Sequence, residues 1–262
     1  MKKRLITTSI VLGSFVISCE SQPKNLADVS QDKFNYKSIS FPSKDNKIRV
    51  YADYYSANSK SAPLILAFHQ AGYSRGVYRD IAPRLVALGF NVLAVDLRSG
   101  EKFGNVPNET FEEAKTKNLP TEFENSIPDI EASYDYARKV LKAKKIIYFG
   151  SSYSASLGFY NVSQHPEDYK ALVVFSPGEY LKIDQKKIEN YAKEVTIPIF
   201  LSSAKGEKST WIDIFNNTNS QQKEYFLPNN WQGYHGEITL SSNFIGSEEY
   251  WTALTKFLKT VK

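Results

Sequence analysis

The chain is 262 residues long, 42% hydrophobic and 23% charged, which excludes wholesale disorder and fits one or two domains. A single cysteine excludes a disulfide framework and a cysteine-ligated metal site. Formal charge is +5, so a nucleic-acid-binding protein has to be weighed until the location of that charge is known.

Much of the charge sits at the start. Lys2, Lys3 and Arg4 precede an uncharged apolar run, Leu5 to Ile17. This is the pattern of a secretory signal, and the run is too short for a spanning helix. Val16-Ile17-Ser18-Cys19 follows, and it resembles a bacterial lipobox. The resemblance implies cleavage before Cys19, acylation of Cys19, attachment to a membrane and a place in the bacterial cell envelope, with the leaflet open. An ordinary signal peptide with an incidental Cys is the alternative. Loss of residues 1–18 leaves 30 basic and 28 acidic residues, a formal +2, and the case for a nucleic-acid partner falls away. Residues 19–33 are polar with scattered apolar positions and read as a tether. Neither a repeat nor a second linker follows, so 34–262 is read as one domain.

Within that domain the elements alternate. Phe34–Phe41 and Lys47–Ser56 alternate polar and apolar residues, as half-exposed strands do, with Asp45-Asn46 as their hairpin turn. Pro63–His69 is a continuous apolar run, expected of a strand buried on both faces. A helix over about Val77–Leu88 stops at Gly89, and a second buried strand covers Phe90–Asp96. Residues 97–119, with Gly100, Gly104 and Pro107, read as a polar loop. A long helix is predicted over about Thr121–Ala143, with Ile127, Ile130, Tyr134, Ala137 and Leu141 on its apolar face. There follow strand Lys145–Phe149, helix Ser152–Gln164, strand Ala171–Phe175, a basic helix about Gln185–Val195, and strand Ile197–Ser202. A short helix near Thr210–Asn216, strand Glu224–Leu227 and a final helix Ser247–Val261 complete the chain. Antiparallel strands followed by alternating strands and helices predict an α/β fold: a mostly parallel sheet with helices on both faces. Ligands in such sheets bind at the carboxyl ends of the strands, so chemistry is expected just after each one.

After the strand KKIIYF comes Gly150-Ser151-Ser152-Tyr153-Ser154, a variant of the G-x-S-x-G nucleophile elbow with Ser152 as nucleophile. A sharp strand-to-helix turn needs small residues two before and two after the nucleophile. Gly150 meets this, and Ser154 is a small departure from glycine. A serine-rich helix cap is the plainer alternative, and Ser151 competes with Ser152 for the role.

After PLILAF comes His69-Gln70-Ala71-Gly72, which resembles the H-G-x oxyanion turn of the α/β-hydrolases with Gln in place of the first Gly. The resemblance implies an oxyanion hole from the Ala71 and Tyr153 N–H groups, with His69 a buried structural residue. After IPIFLSS, the family position of the triad acid falls on Glu207, with Asp213 as its nearest rival. His165 precedes Pro166 at a helix end and reads as a surface or capping residue. That leaves His235, in the glycine-flanked loop Gly233-Tyr234-His235-Gly236, as the base. The order Ser152, Glu207, His235 is the α/β-hydrolase order. Ala94–Gly100 and Ser176-Pro177-Gly178 are further family-like stretches, and the whole looks like the dienelactone-hydrolase-like and acyl-esterase branch. True dienelactone hydrolases use a Cys nucleophile, and Cys19 lies outside the domain.

These readings lead to one expectation: a serine hydrolase cleaving a carboxylic ester, on a small or carbohydrate-linked acyl group, through an acyl-enzyme on Ser152. A serine peptidase of the same fold and a catalytically silent binding lipoprotein are the alternatives. Neither metal nor organic cofactor is required, and no obligate protein partner is evident. Only Ser176–Thr196 is available for a lid, too little for a cap domain. The expected pocket walls are Tyr153, the 97–119 segment and Trp231, for which a core role is the alternative.

Overall fold

The computed structural model describes residues 36–56 and 58–262. The expected signal sequence, Cys19 and the expected tether lie outside the described residues. The central sheet has eight strands: β1 (Tyr36–Pro42), β2 (Arg49–Tyr55), β3 (Leu64–Phe68), β4 (Asn91–Val95), β7 (Ile146–Ser151), β8 (Tyr169–Phe175), β9 (Ile199–Ser202) and β10 (Lys223–Phe226). They lie in the order β1-β2-β4-β3-β7-β8-β9-β10, and a small ribbon pairs β5 (Lys102–Phe103) with β6 (Val106–Pro107). β1 and β2 form the antiparallel hairpin, β2 meets β4 antiparallel, and every later pairing is parallel.

Apolar runs in β3, β4 and β7 are buried throughout because each face carries its own core. Leu64, Leu66 and Phe68 point to one side, with α3 (Ile127–Lys139), α4 (Tyr153–Gln164), α5 (Ile188–Ala192) and α6 (Lys208–Asn217). Ile65 and Ala67 point to the other, with α1 (Tyr78–Ala87) and α7 (Ser247–Val261). Successive strand side chains alternate faces, so one short segment feeds two cores.

Three expected elements change. Residues 97–119 are not a loop: they hold the β5–β6 ribbon and α2 (Glu109–Thr116). Asn108 starts α2, its side chain accepting from the Phe111 N–H at 2.9 Å, and Glu109 and Glu112 lie in the first turn, where the helix dipole favours acids. So polar a helix is held from outside: Thr110 accepts from the Tyr51 N–H at 3.0 Å and Glu113 from the Arg49 N–H at 3.2 Å. The long helix expected from 121 begins instead as a tight turn, Phe123–Ser126, and becomes α-helical at Ile127 beside Pro128. Pro has no N–H to give an inner turn and is best placed at a helix start. The basic helix shrinks to Ile188–Ala192 because Asp184 and Gln185 take φ of 49° and 63°. Glu179 then accepts from the Ile188 and Glu189 N–H groups at 2.7 and 2.8 Å, so the helix starts there.

Two buried arginines tie loops to the sheet. Arg75 lies against Asp96 and also pairs with Asp53 at 3.1 Å and Glu109 at 2.5 Å. Arg98 pairs with Asp129 at 2.6 Å and Asp45 at 3.2 Å. Between β8 and β9 the chain forms turns and the five-residue α5, with no inserted cap domain. No helix among the described residues is long and apolar enough to cross a membrane.

Candidate active site

The residues of interest follow the carboxyl ends of β3, β7, β8, β9 and β10. Ser152 sits between β7 and α4 at φ 55°, ψ −121°, outside the regions an L-residue favours and a strain of about 1–3 kcal/mol. The surrounding packing enforces it. A Cβ on Gly150 would lie 2.6 Å from the Ser154 carbonyl oxygen and 2.9 Å from Ala155 Cα, so this position must be glycine. Ser154, the departure from the elbow pattern, is fully buried and used. Its hydroxyl bridges the Phe68 carbonyl at the end of β3 (3.0 Å) and the Ser151 carbonyl (2.9 Å), and it accepts the Ser151 N–H at 2.8 Å. A glycine would leave the elbow and β3 without that link.

Ser152 Oγ lies 2.8 Å from His235 Nε2, and His235 Nδ1 lies 2.6 Å from Glu207 Oε1. A carboxylate only accepts, so Nδ1 carries the proton and Nε2 is left to accept from the serine hydroxyl. Glu207 ends a tight turn, Lys205–Glu207, directly after β9. Its other oxygen accepts from Ser176 Oγ at 2.6 Å and the Ala204 N–H at 3.1 Å. Burial pushes the Glu207 carboxyl up, but the His235 hydrogen bond and charge, with Ser176 and Ala204, outweigh it and hold it below its ordinary value. Asp213, the rival acid, is exposed on α6 and takes no part.

Sequence reasoning missed Ser176. It is buried at φ 50°, and its hydroxyl accepts from the Gly236 N–H at 2.8 Å while donating to Glu207, joining the acid to the histidine loop. Its only sequence signal was the Ser176-Pro177-Gly178 turn after a buried strand. Gly233 and Gly236, at φ 76° and 78°, let the His235 loop turn back over the sheet.

His69 is fully buried, and burial pushes its imidazole down to about 4. Nε2 accepts from the Leu97 N–H at 3.0 Å, so Nδ1 carries the proton and donates to the Gln70 carbonyl at 2.8 Å. His165 pairs with Glu131 at 3.0 Å on the far side of α3 and α4 and stacks on Tyr134.

Of the expected pocket walls, the Tyr153 side chain is not available. The Tyr153 ring is fully buried and stacked on Phe123 at 4.6 Å, so at the site only its amide is available. Residues 97–119 pack against Arg75 and His69: Glu109 pairs with Arg75 at 2.5 Å, and the Asn108 amide nitrogen lies 3.2 Å from His69 Nε2. Trp231 is 46% exposed rather than core. Tyr180, edge-on to His235 at 6.4 Å, and Tyr234, packed on Phe244 at 4.2 Å, are exposed beside it. The His235 side chain is 40% exposed, so the site opens to solvent.

Fold and sheet order define an α/β-hydrolase. The chain belongs to the family described as serine aminopeptidase, S33, whose profile matches residues 59–225. That span includes Ser152 and Glu207 and ends before His235. No curated protein matches the chain. Among solved structures it is similar to the esterase Pf2001 of Pyrococcus furiosus, at 19% identity and a TM-score of 0.67 over 87% of this chain and 93% of that one. A dienelactone hydrolase from Anabaena variabilis matches at 14% identity and 0.64, over 86% and 98%. Est1E from Butyrivibrio proteoclasticus, solved with ferulic acid bound, matches at 15% and 0.63, over 85% and 98%. At such identities the likeness is one of fold.

Proposed function

We propose that the protein is a serine esterase that cleaves carboxylic esters of small or carbohydrate-linked acyl groups through an acyl-enzyme on Ser152. The observation that carries this is the Ser152–His235–Glu207 hydrogen-bonded chain, its serine held at φ 55° above the end of β7. His235 takes the Ser152 proton as Oγ attacks the ester carbonyl. Glu207 keeps the proton on Nδ1 and stabilises the imidazolium that forms. The developing oxyanion is met by the Ala71 and Tyr153 N–H groups. His235 then gives its proton to the leaving alkoxide, and water, activated by the same imidazole, hydrolyses the acyl-enzyme. These steps need no cofactor.

A fluorophosphonate should label Ser152, and chromogenic esters of graded acyl length should be turned over. The family description supports a second reading, a peptidase of the same fold. Aminoacyl arylamides hydrolysed faster than any ester would select it, and a protein that neither labels nor turns over either class is a binding module.

Attachment to the cell envelope through Cys19 belongs to the same proposal. The Leu5–Ile17 run and the lipobox-like Val16–Cys19 support it. Mass spectrometry of the mature N-terminus should find an acylated Cys19; an unmodified Cys19 would overturn it.

A further inference from the structure

Glu237 follows His235 by two residues and is fully buried. Among the described residues no lysine or arginine pairs with it. The titratable groups that face it are His235, Tyr73, Tyr78 and Tyr153. Burial pushes its carboxyl up to about 7. An acid so placed is expensive to keep, and its contacts indicate what it does. Its Oε1 accepts from the Gln70 N–H at 3.2 Å. The Gln70 carboxamide, with its nitrogen turned inward, donates to Glu237 Oε2 at 3.2 Å and to the His235 carbonyl at 3.0 Å. The Glu237 N–H donates to Ser151 Oγ, beside the nucleophile, at 2.9 Å. Oxyanion turn, elbow and histidine loop therefore meet at one side chain.

We propose that Glu237 is a positioning residue which, through Gln70, sets the direction of the Ala71 N–H toward Ser152. The inference rests on the esterase reading and deepens it. Gln70 lies between two rigid peptide planes. The plane before it is held by Glu237 through the Gln70 N–H. The plane after it is held by His69, whose Nδ1–H is bonded to the Gln70 carbonyl at 2.8 Å. In a trans peptide the N–H points opposite to the carbonyl, so the bond to buried His69 turns the Ala71 N–H outward. With both planes held, φ and ψ of Gln70 are set, and so is the amide. Glutamine in place of the usual glycine supplies the second tie to Glu237. Gly236 makes room for it: a Cβ there would lie 1.9 Å from the Gln70 carboxamide and 2.5 Å from Ser151 Oγ.

The test uses the full chain, a short-chain ester, and rates normalised to Ser152 sites counted by complete fluorophosphonate labelling. E237A removes both ties to residue 70 and should lower kcat per labelled serine by about 10–100-fold, less than deletion of an oxyanion donor, with KM within about twofold; Q70A loses only the carboxamide tie, keeps the N–H bond to Glu237, and should lower kcat by about 3–10-fold. E237Q keeps an acceptor for the Gln70 N–H and should stay within about threefold of wild type by the same reasoning. The double variant Q70A/E237A should be no slower than E237A, because E237A already breaks both ties between the two residues. Wild-type kcat per labelled serine in E237A or Q70A, or multiplicative losses in the double variant, would overturn the proposal. If E237A does not fold, Q70A decides alone. Wild-type protein that turns over no ester and leaves Ser152 unlabelled overturns the esterase reading, and this one with it.

Discussion

At the level of single residues the chemistry turns on proton positions. Ser152→Ala and His235→Ala should abolish ester turnover while leaving the thermal midpoint within a few degrees of wild type, since both side chains sit at the open edge of the core. Glu207→Gln should lower kcat by about 10³–10⁴-fold, because an amide can present a donor to Nδ1 and stabilise the wrong tautomer. Steady-state kinetics on one short ester check all three; near-wild-type turnover in Glu207→Gln would remove Glu207 from the mechanism. Glu237 gives a separate prediction about stability. Its carboxyl rises from an ordinary 4.5 to about 7 in the folded protein, so between these values the folded state binds the proton more tightly. Stability from this group is complete below about 4.5 and is lost as pH rises through 7. Urea midpoints at pH 5 and pH 8 should therefore differ more in wild type than in E237Q, which cannot ionise. An equal difference in both proteins would mean that Glu237 titrates normally. The histidines were legible in the chain because only three exist and each has a distinct neighbourhood. Glu237 and Ser176 were not. Nothing local separates a buried acid from a surface one, and their partners lie 167 and 31 residues away.

At the level of elements, long apolar strands and strongly amphipathic helices were readable because burial demands a pattern. α7 runs from Ser247 to Val261 as its periodicity predicts. α2 left no pattern because it is short and mostly polar; α5 was expected as a helix, but its start is set by Glu179 from outside it. The Arg75 cluster links such pieces, joining the segment before α1 to β2, the end of β4 and the first residue of α2. Arg75→Met would leave the buried carboxylate of Asp96 without its cation and Asp53 with only Arg79, at 3.8 Å. It should destabilise the fold by about 3–5 kcal/mol, measured by urea denaturation, and release α2 first. A loss below about 1 kcal/mol would show that water or protonation relieves the acids, as at an exposed pair.

Over the whole molecule, a site 40% exposed at its histidine and bordered by a single five-residue helix between β8 and β9 has no large apolar surface to uncover on lipid. Rates across acyl chains of two to sixteen carbons should peak at short, water-soluble esters. A sharp rise above the micellar threshold of a long-chain substrate would contradict this. The succession of the eight sheet strands along the chain, the place of Ser152 after β7 and the sequence order Ser152, Glu207, His235 could all be read from the chain. Alternating burial and tight turns leave local marks, and chemistry in a parallel sheet collects at strand ends. Tertiary structure alone decided the rest. It brought Glu207 rather than Asp213 to the imidazole and turned the Tyr153 ring into the core. It also made hydrogen-bonded ties of the two apparent defects, Gln70 and Ser154. Each of these depends on which distant backbone group a short side chain can reach, a distance that exists only once the sheet has assembled.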